Sequence, residues 1–270
     1  MKRFIRNIIL ASFFLLLVSC EKIIQLDLDQ NESVVVVDAV ISNIPDQTVV
    51  HLTKSKPLFS AEGYTAISHA IVHIIADGGT SLLMEEQAPG IYKRDNFKGI
   101  ENTDYQLQID WEGNLISAVA SMPKRTPIDS LELVLSDRNF RGREELDYAL
   151  KVHFTDDIDV QNFYRFDVFR NDTLLEGFSV SNDLYYNGLE TYHFLRGYEL
   201  KPLDKVSVTL SCIDEANYSY FLVLSESNSP FNIAPGNPIS NIQGEAIGYF
   251  GAYAQDKKEI VIPAYSNPNP

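Results

Sequence analysis

The sequence predicts an all-β protein of two β-sandwich-like domains, with one short helix in the second. Three observations predict it. Apolar and polar residues alternate with a period of two through most of the chain, which puts one side of each run in a core and the other in solvent. Clusters of Gly, Asn and Asp separate the runs, and these residues accept the positive φ of tight turns. A proline-bounded break, Met122-Pro123-Lys124-Arg125-Thr126-Pro127, interrupts the pattern midway, since two prolines disfavour both helix and sheet ladder.

The first half reads as seven strands, at 34–40, 48–54, 70–76, 80–85, 90–93, 105–111 and 115–121. Tyr105, Leu107, Ile109 and Trp111 share one face; Gln106, Gln108 and Asp110 take the other. Asp77-Gly78-Gly79 and Glu112-Gly113-Asn114 supply turns. Many short strands within about 90 residues suit an immunoglobulin-like or transthyretin-like sandwich. In the second half, Leu131, Leu133 and Leu135 share a face, as do Tyr148, Leu150, Val152 and Phe154, and then Tyr164, Phe166 and Val168. Asn171-Asp172 reads as a hairpin turn. The helix is placed at 214–226, with Asp214 as N-cap and Glu215 in the favourable first turn. Pro230, Pro235 and Pro238 then enforce an extended loop, and 244–254 and 259–263 close the chain as two strands. The expected division is 1–19 as a signal peptide, 20–122 as the N-terminal sandwich and 123–270 as the C-terminal β-rich domain.

The N-terminus, MKRFIRNIILASFFLLLVSC, carries Lys2, Arg3 and Arg6 ahead of an apolar run broken by Ser12. That run is short for a bilayer span and suits a signal-peptide core. It ends in Leu17-Val18-Ser19-Cys20, which resembles the lipobox of bacterial lipoprotein precursors. The resemblance implies cleavage between Ser19 and Cys20 and acyl chains, palmitate among them, on Cys20. Each buried methylene contributes about 0.8 kcal/mol, so two or three chains anchor firmly where one binds reversibly. No run from residue 21 onward is long and apolar enough for a transmembrane helix.

Removing the signal takes Lys plus Arg from 22 to 19 against 37 acidic residues, so the formal charge moves from -15 to -18. A surface this acidic repels phosphate, which argues against nucleic-acid binding. Lipidated Cys20 leaves Cys212 alone, on a strand face with Val206, Val208 and Leu210; it reads as a small core residue.

Candidate chemistry is sparse. Ser121-Met122-Pro123-Lys124 has the S-x-x-K spacing of penicillin-binding serine enzymes, but Pro123 denies it the helical turn and its partner motifs are missing. His69 and His73 are four apart; in a strand that separation is roughly 13 Å, too long to share a metal ion. Asp156-Asp157-Ile158-Asp159 opens like a calcium loop, but the EF-hand positions six and twelve fall on Asn162 and Val168. Asp156, Asp157 and Asp159 stay as candidates for a looser site, against a polar turn. Gly244, Gly248 and Gly251 read as structural glycines within a strand. Tyr185, Tyr186, Tyr192 and Tyr198 lie in a polar stretch, and an exposed tyrosine cluster suits glycan or peptide binding. No catalytic constellation and no cofactor are expected.

The segments Cys20-Glu21-Lys22-Ile23-Ile24-Gln25-Leu26-Asp27-Leu28, Val34 to Val37, Pro127-Ile128-Asp129-Ser130-Leu131, Asn162-Phe163-Tyr164-Arg165-Phe166 and Asn241-Ile242-Gln243-Gly244-Glu245-Ala246-Ile247-Gly248-Tyr249-Phe250-Gly251-Ala252-Tyr253 together resemble the domain of unknown function 4249 family of Bacteroidota outer-membrane lipoproteins. Glu245-Ala246 stands where the family's closing run has Gly-Gly. The resemblance implies an all-β lipoprotein of the cell outer membrane, on its periplasmic or its outer face, often encoded beside TonB-dependent receptors. It brings no catalytic residues. The reading is an accessory ligand- or partner-binding component of a TonB-dependent uptake system. The alternatives are a structural or adhesive surface lipoprotein and a hydrolase with unassigned carboxylates.

Overall fold

The computed structural model describes residues 33–56, 63–79, 81–137, 146–227 and 236–264. The signal peptide, Ser19 and Cys20 lie outside them. From Ser33 onward the chain forms one compact unit. It is mostly β-strand, and sandwich-like, with one helix among the described residues.

The first half contributes β1 (Val35–Ser42), β2 (Val49–Lys54), β3 (Thr65–Ala66), β4 (Ile71–Ala76), β5 (Ser81–Ala88), β6 (Ile91–Lys93), β7 (Thr103–Trp111) and β8 (Asn114–Met122). The second contributes β9 (Ile128–Asp137), β10 (Leu146–Thr155), β11 (Phe163–Arg170), β12 (Thr173–Leu174), β13 (Ser179–Asn182), β14 (Glu190–Leu195), β15 (Lys205–Ile213), α1 (Glu215–Ser227), β16 (Ile242–Gln243) and β17 (Ala246–Val261). Alternation decides the inward faces: Tyr105, Leu107 and Ile109 of β7 are buried, as are Leu150, Val152 and Phe154 of β10 and Tyr164, Phe166 and Val168 of β11.

In the first half β1, β2 and β6 pair in one sheet and β4, β7 and β8 in the other, and β5 hydrogen-bonds to both β6 and β4. In the second half β11 and β15 form one layer and β14, β10 and β9 a separate three-stranded sheet. Phe154 of β10 meets Tyr164 and Phe166 of β11 at 5.0 and 6.0 Å between ring centres, so the two layers share a core.

The segment 123–127 separates β8 from β9, as its prolines require. The halves nevertheless share a strand. Residues 246–253 of β17 pair in parallel with β1, and residues 254–261 pair antiparallel with β15. A cut at 122/123 therefore follows chain order but not sheet membership. The two closing strands expected at 244–254 and 259–263 are one continuous strand. Polar Gln255, Asp256, Lys257 and Lys258 interrupt the apolar pattern, yet their backbone stays in register with Ser211, Leu210, Thr209 and Val208.

Gly248 shows why this strand carries glycine. Its φ is 115°, and a Cβ there would collide with the Val37 carbonyl of the adjacent strand. The α1 helix starts where its cap predicts: Asp214 Oδ1 accepts from the Asn217 amide at 2.8 Å.

Candidate functional site

Where the halves meet, a cavity of about 370 Å³ is lined by Lys124, Arg125, Thr126, Thr155, Asp156 and Asp157, with Pro127, Ile158, Asn162 and Gly188 completing its wall. Its position follows from local structure. The prolines at 123 and 127 hold the linker extended, and β10 ends at Thr155, so the next three residues turn across the linker.

Asp156 turns inward and is buried. Its carboxylate accepts from the Tyr164 hydroxyl and, at 2.8 Å, from the Gly188 amide. Burial raises its pKa, and nearby Asp183 and Asp157 add to that; the two hydrogen bonds oppose it. Tyr164 is driven far up by burial and by its bond to Asp156. The Thr126 amide donates to Cys212 Sγ at 3.2 Å, and burial pushes the Cys212 thiol up to about 11. Cys212 is thus the core thiol its strand face predicts, and stays protonated at neutral pH.

The charged rim is internally paired. Lys124 Nζ sits 2.7 Å from Asp157, whose pKa is lowered first by that hydrogen bond. Arg125 bridges Asp256 and Glu101. The site therefore offers hydroxyl, amide and backbone groups beside the ion-paired Lys124, Arg125 and Asp157 and the hydrogen-bonded Asp156. That chemistry accommodates a polar ligand with little net charge.

Ser121 and Lys124 are not brought together. Ser121 Oγ donates to Asp104 at 2.6 Å, while Lys124 serves Asp157. The calcium candidates also separate: Asp156 is committed inward, Asp157 to Lys124, and the Asp159 amide donates to Asp157 Oδ1 at 3.3 Å in a local turn. Among the described residues no group of three His, Cys, Asp or Glu is placed to hold a metal ion. His69 sits at φ 63° on the surface with its Nδ1 3.9 Å from Glu86, and His73 Nδ1 lies 3.0 Å from Ser81 Oγ, so the two histidines have separate partners. His153, which has no evident partner in sequence, meets Glu132 across the sheet at 2.9 Å.

The tyrosines divide. Tyr185 is 89% exposed, and Tyr192 is exposed with Lys151 Nζ 5.1 Å from its ring centre. Tyr186 packs edge-on against Phe154 and bonds Ser181 Oγ at 2.7 Å, and Tyr198 packs on the core. Nothing in the local sequence of Thr126, Asn162 or Gly188 marks them as cavity residues. The one available signal was the proline-bounded linker beside the Asp-rich turn.

Residues 21–259 match the family described as Domain of unknown function (DUF4249). Comparison with curated proteins finds no match. Among solved structures, one similar chain is a "Biofilm associated protein - BSP domain", at 12% identity and TM-score 0.22, covering 88% of this chain. This chain spans 30% of that one. Another is a two fibronectin type-III domain segment from chicken tenascin, at 12% identity and TM-score 0.21, covering 67% of this chain and 91% of that one. At such scores neither likeness bears on ligand or role. The family match spans most of the chain, which is therefore a member of the domain of unknown function family DUF4249.

Proposed function

We propose that the protein is an outer-membrane lipoprotein, anchored through acyl chains on Cys20, that serves as an accessory binding component of a TonB-dependent uptake system. The observation that carries it is Leu17-Val18-Ser19-Cys20 at the end of a short apolar run preceded by three basic residues. The TonB-dependent receptor partner comes from the family resemblance. The cavity between Lys124 and Gly188 is the place for a ligand or a partner's loop. Its carboxylates Asp156 and Asp157 are each held by protein donors, which favours binding over the hydrolase alternative.

Labelled palmitate should be incorporated by the wild type and not by Cys20→Ser. Crosslinking in outer membranes followed by affinity purification should recover a large β-barrel; recovery of the chain alone overturns the receptor partnership. The adhesive alternative draws on β17, whose continuity through both halves suits a stiff spacer. A deletion strain with normal uptake and altered attachment would favour it.

A further inference from the structure

We infer that the end of the first half from which the chain leads back to Cys20 lies against the lipid surface, a reading that rests on the anchoring proposed above. Strand pairing defines this end. Val35 opens β1 opposite Lys54 and Ala246, and Lys54 pairs with Thr65, next to Tyr64. In the facing sheet, Asp110 pairs with both Ile71 and Leu115, and Trp111 with Asn114. The Lys54 ammonium, 4.8 Å from the Trp111 ring centre, ties the two sheets together there.

The same end gathers exposed apolar side chains. Leu115 is 76% exposed, Tyr64 69% and Ile71 54%, and Val34 and Ile247 are also exposed. The opposite end is built from polar turns at Asp46, Asp77, Asn96 and Asn102, with Ile100 as its exposed large apolar residue. Apolar side chains gathered at one end mark an interaction surface. Exposed Tyr64 and the edge of Trp111, which is partly buried against the core, are residue types that settle at the headgroup depth of a bilayer. Lys54 and Lys56 against Asp110, Glu112, Glu245 and Glu86, which accepts from the His69 amide, leave the end mildly acidic, so apolar burial, not attraction to anionic lipid, drives contact.

The link to Cys20 does not set the orientation by itself. Thirteen steps separate Cys20 from Ser33, a reach of at most about 45 Å. That tether permits many orientations, and the apolar end selects one.

Trp111 is the chain's one tryptophan, so it reports on this end directly. Full-length protein purified after export is returned to phosphatidylcholine vesicles containing lipids brominated near the headgroup. Trp111 emission is expected to fall about twofold. Ile71→Asp combined with Leu115→Asp, both at exposed positions, should remove the quenching while the protein still floats with the vesicles. Acylated, floating protein with unquenched Trp111, including protein that instead self-associates through this end, overturns the orientation alone. Mass measurement of the N-terminal peptide reports Cys20 acylation separately; an unmodified Cys20 overturns the anchoring and this inference together.

Discussion

At the scale of single residues, burial sets the chemistry more than residue type does. His193 of β14 stacks on Phe166 at 4.2 Å between ring centres, with Ser179 Oγ 2.7 Å from Nε2. Burial lowers its pKa from 6.5 to about 4. The folded state then holds fewer protons than the unfolded state between those two values. The contribution is complete above pH 6.5 and is lost as the pH falls toward 4. A loss of about 2 kcal/mol is expected after solvent screening. Denaturant titrations at pH 7 and pH 4.5 should show it for the wild type, and His193→Phe should remove that part of the difference. An identical pH dependence in both proteins would contradict the assignment. In Arg165 burial pulls the same way, but a charge partner outweighs it. Its guanidinium lies over the adjoining rings of Phe178 and Phe221, 4.7 and 4.3 Å from their centres, and two of its nitrogens donate to Asp167, so it keeps its charge despite burial.

At the scale of elements, α1 depends on one side chain. Asp214 Oδ1 accepts from both the amide and the side-chain Nδ2 of Asn217, each at 2.8 Å, and Oδ2 accepts from the Ser121 amide at 3.0 Å. Asn217 Nδ2 in turn donates to the Phe250 carbonyl at 3.0 Å. The cap therefore fastens the helix to β8 and β17 as well as starting it. Asp214→Ala should cost about 1–2 kcal/mol, read as a shift in the denaturation midpoint, with Asp214→Asn recovering part of the loss. The segment 241–253 works similarly. Asn241 accepts from the Phe250 amide at 3.0 Å and donates to the Phe250 carbonyl at 2.8 Å, standing in for a strand partner. Its glycines are packing requirements: the ring of Tyr253 occupies the space a Cβ on Gly251 would need.

At the scale of the whole molecule, β17 makes the halves interdependent. It lies between β1 and β15 in the hydrogen-bonded path, and one buried cluster contains residues of both halves. The protein should unfold in a single transition, with Trp111 fluorescence reporting the first half and far-UV dichroism the whole, and the two curves coinciding. A proline in the middle of a central strand removes a ladder hydrogen bond and is tolerated only at edges or bulges. Ala254→Pro, at the handover from β1 to β15, should therefore lower both curves together. Separate midpoints would show that the halves fold independently.

The sequence by itself determined the strand-rich class, most strand positions and their inward faces, the capped helix and the core character of Cys212. These follow from local periodicity and turn chemistry, which act over a few residues and are written in order along the chain. Tertiary structure decided the rest. The parallel pairing of 246–253 with β1 joins residues some 200 apart in sequence, a contact that no local pattern encodes. The cavity is equally non-local, because Lys124, Asp156 and Gly188 come from three separate loops. The tyrosines of 185–198 lie in one polar stretch, and only their placement over or away from Phe154 and its neighbours separates packing residues from exposed ones. The physical reason is common to all three: alternation tells a side chain whether to be buried, while the partner that buries it is chosen by chain closure over long distances.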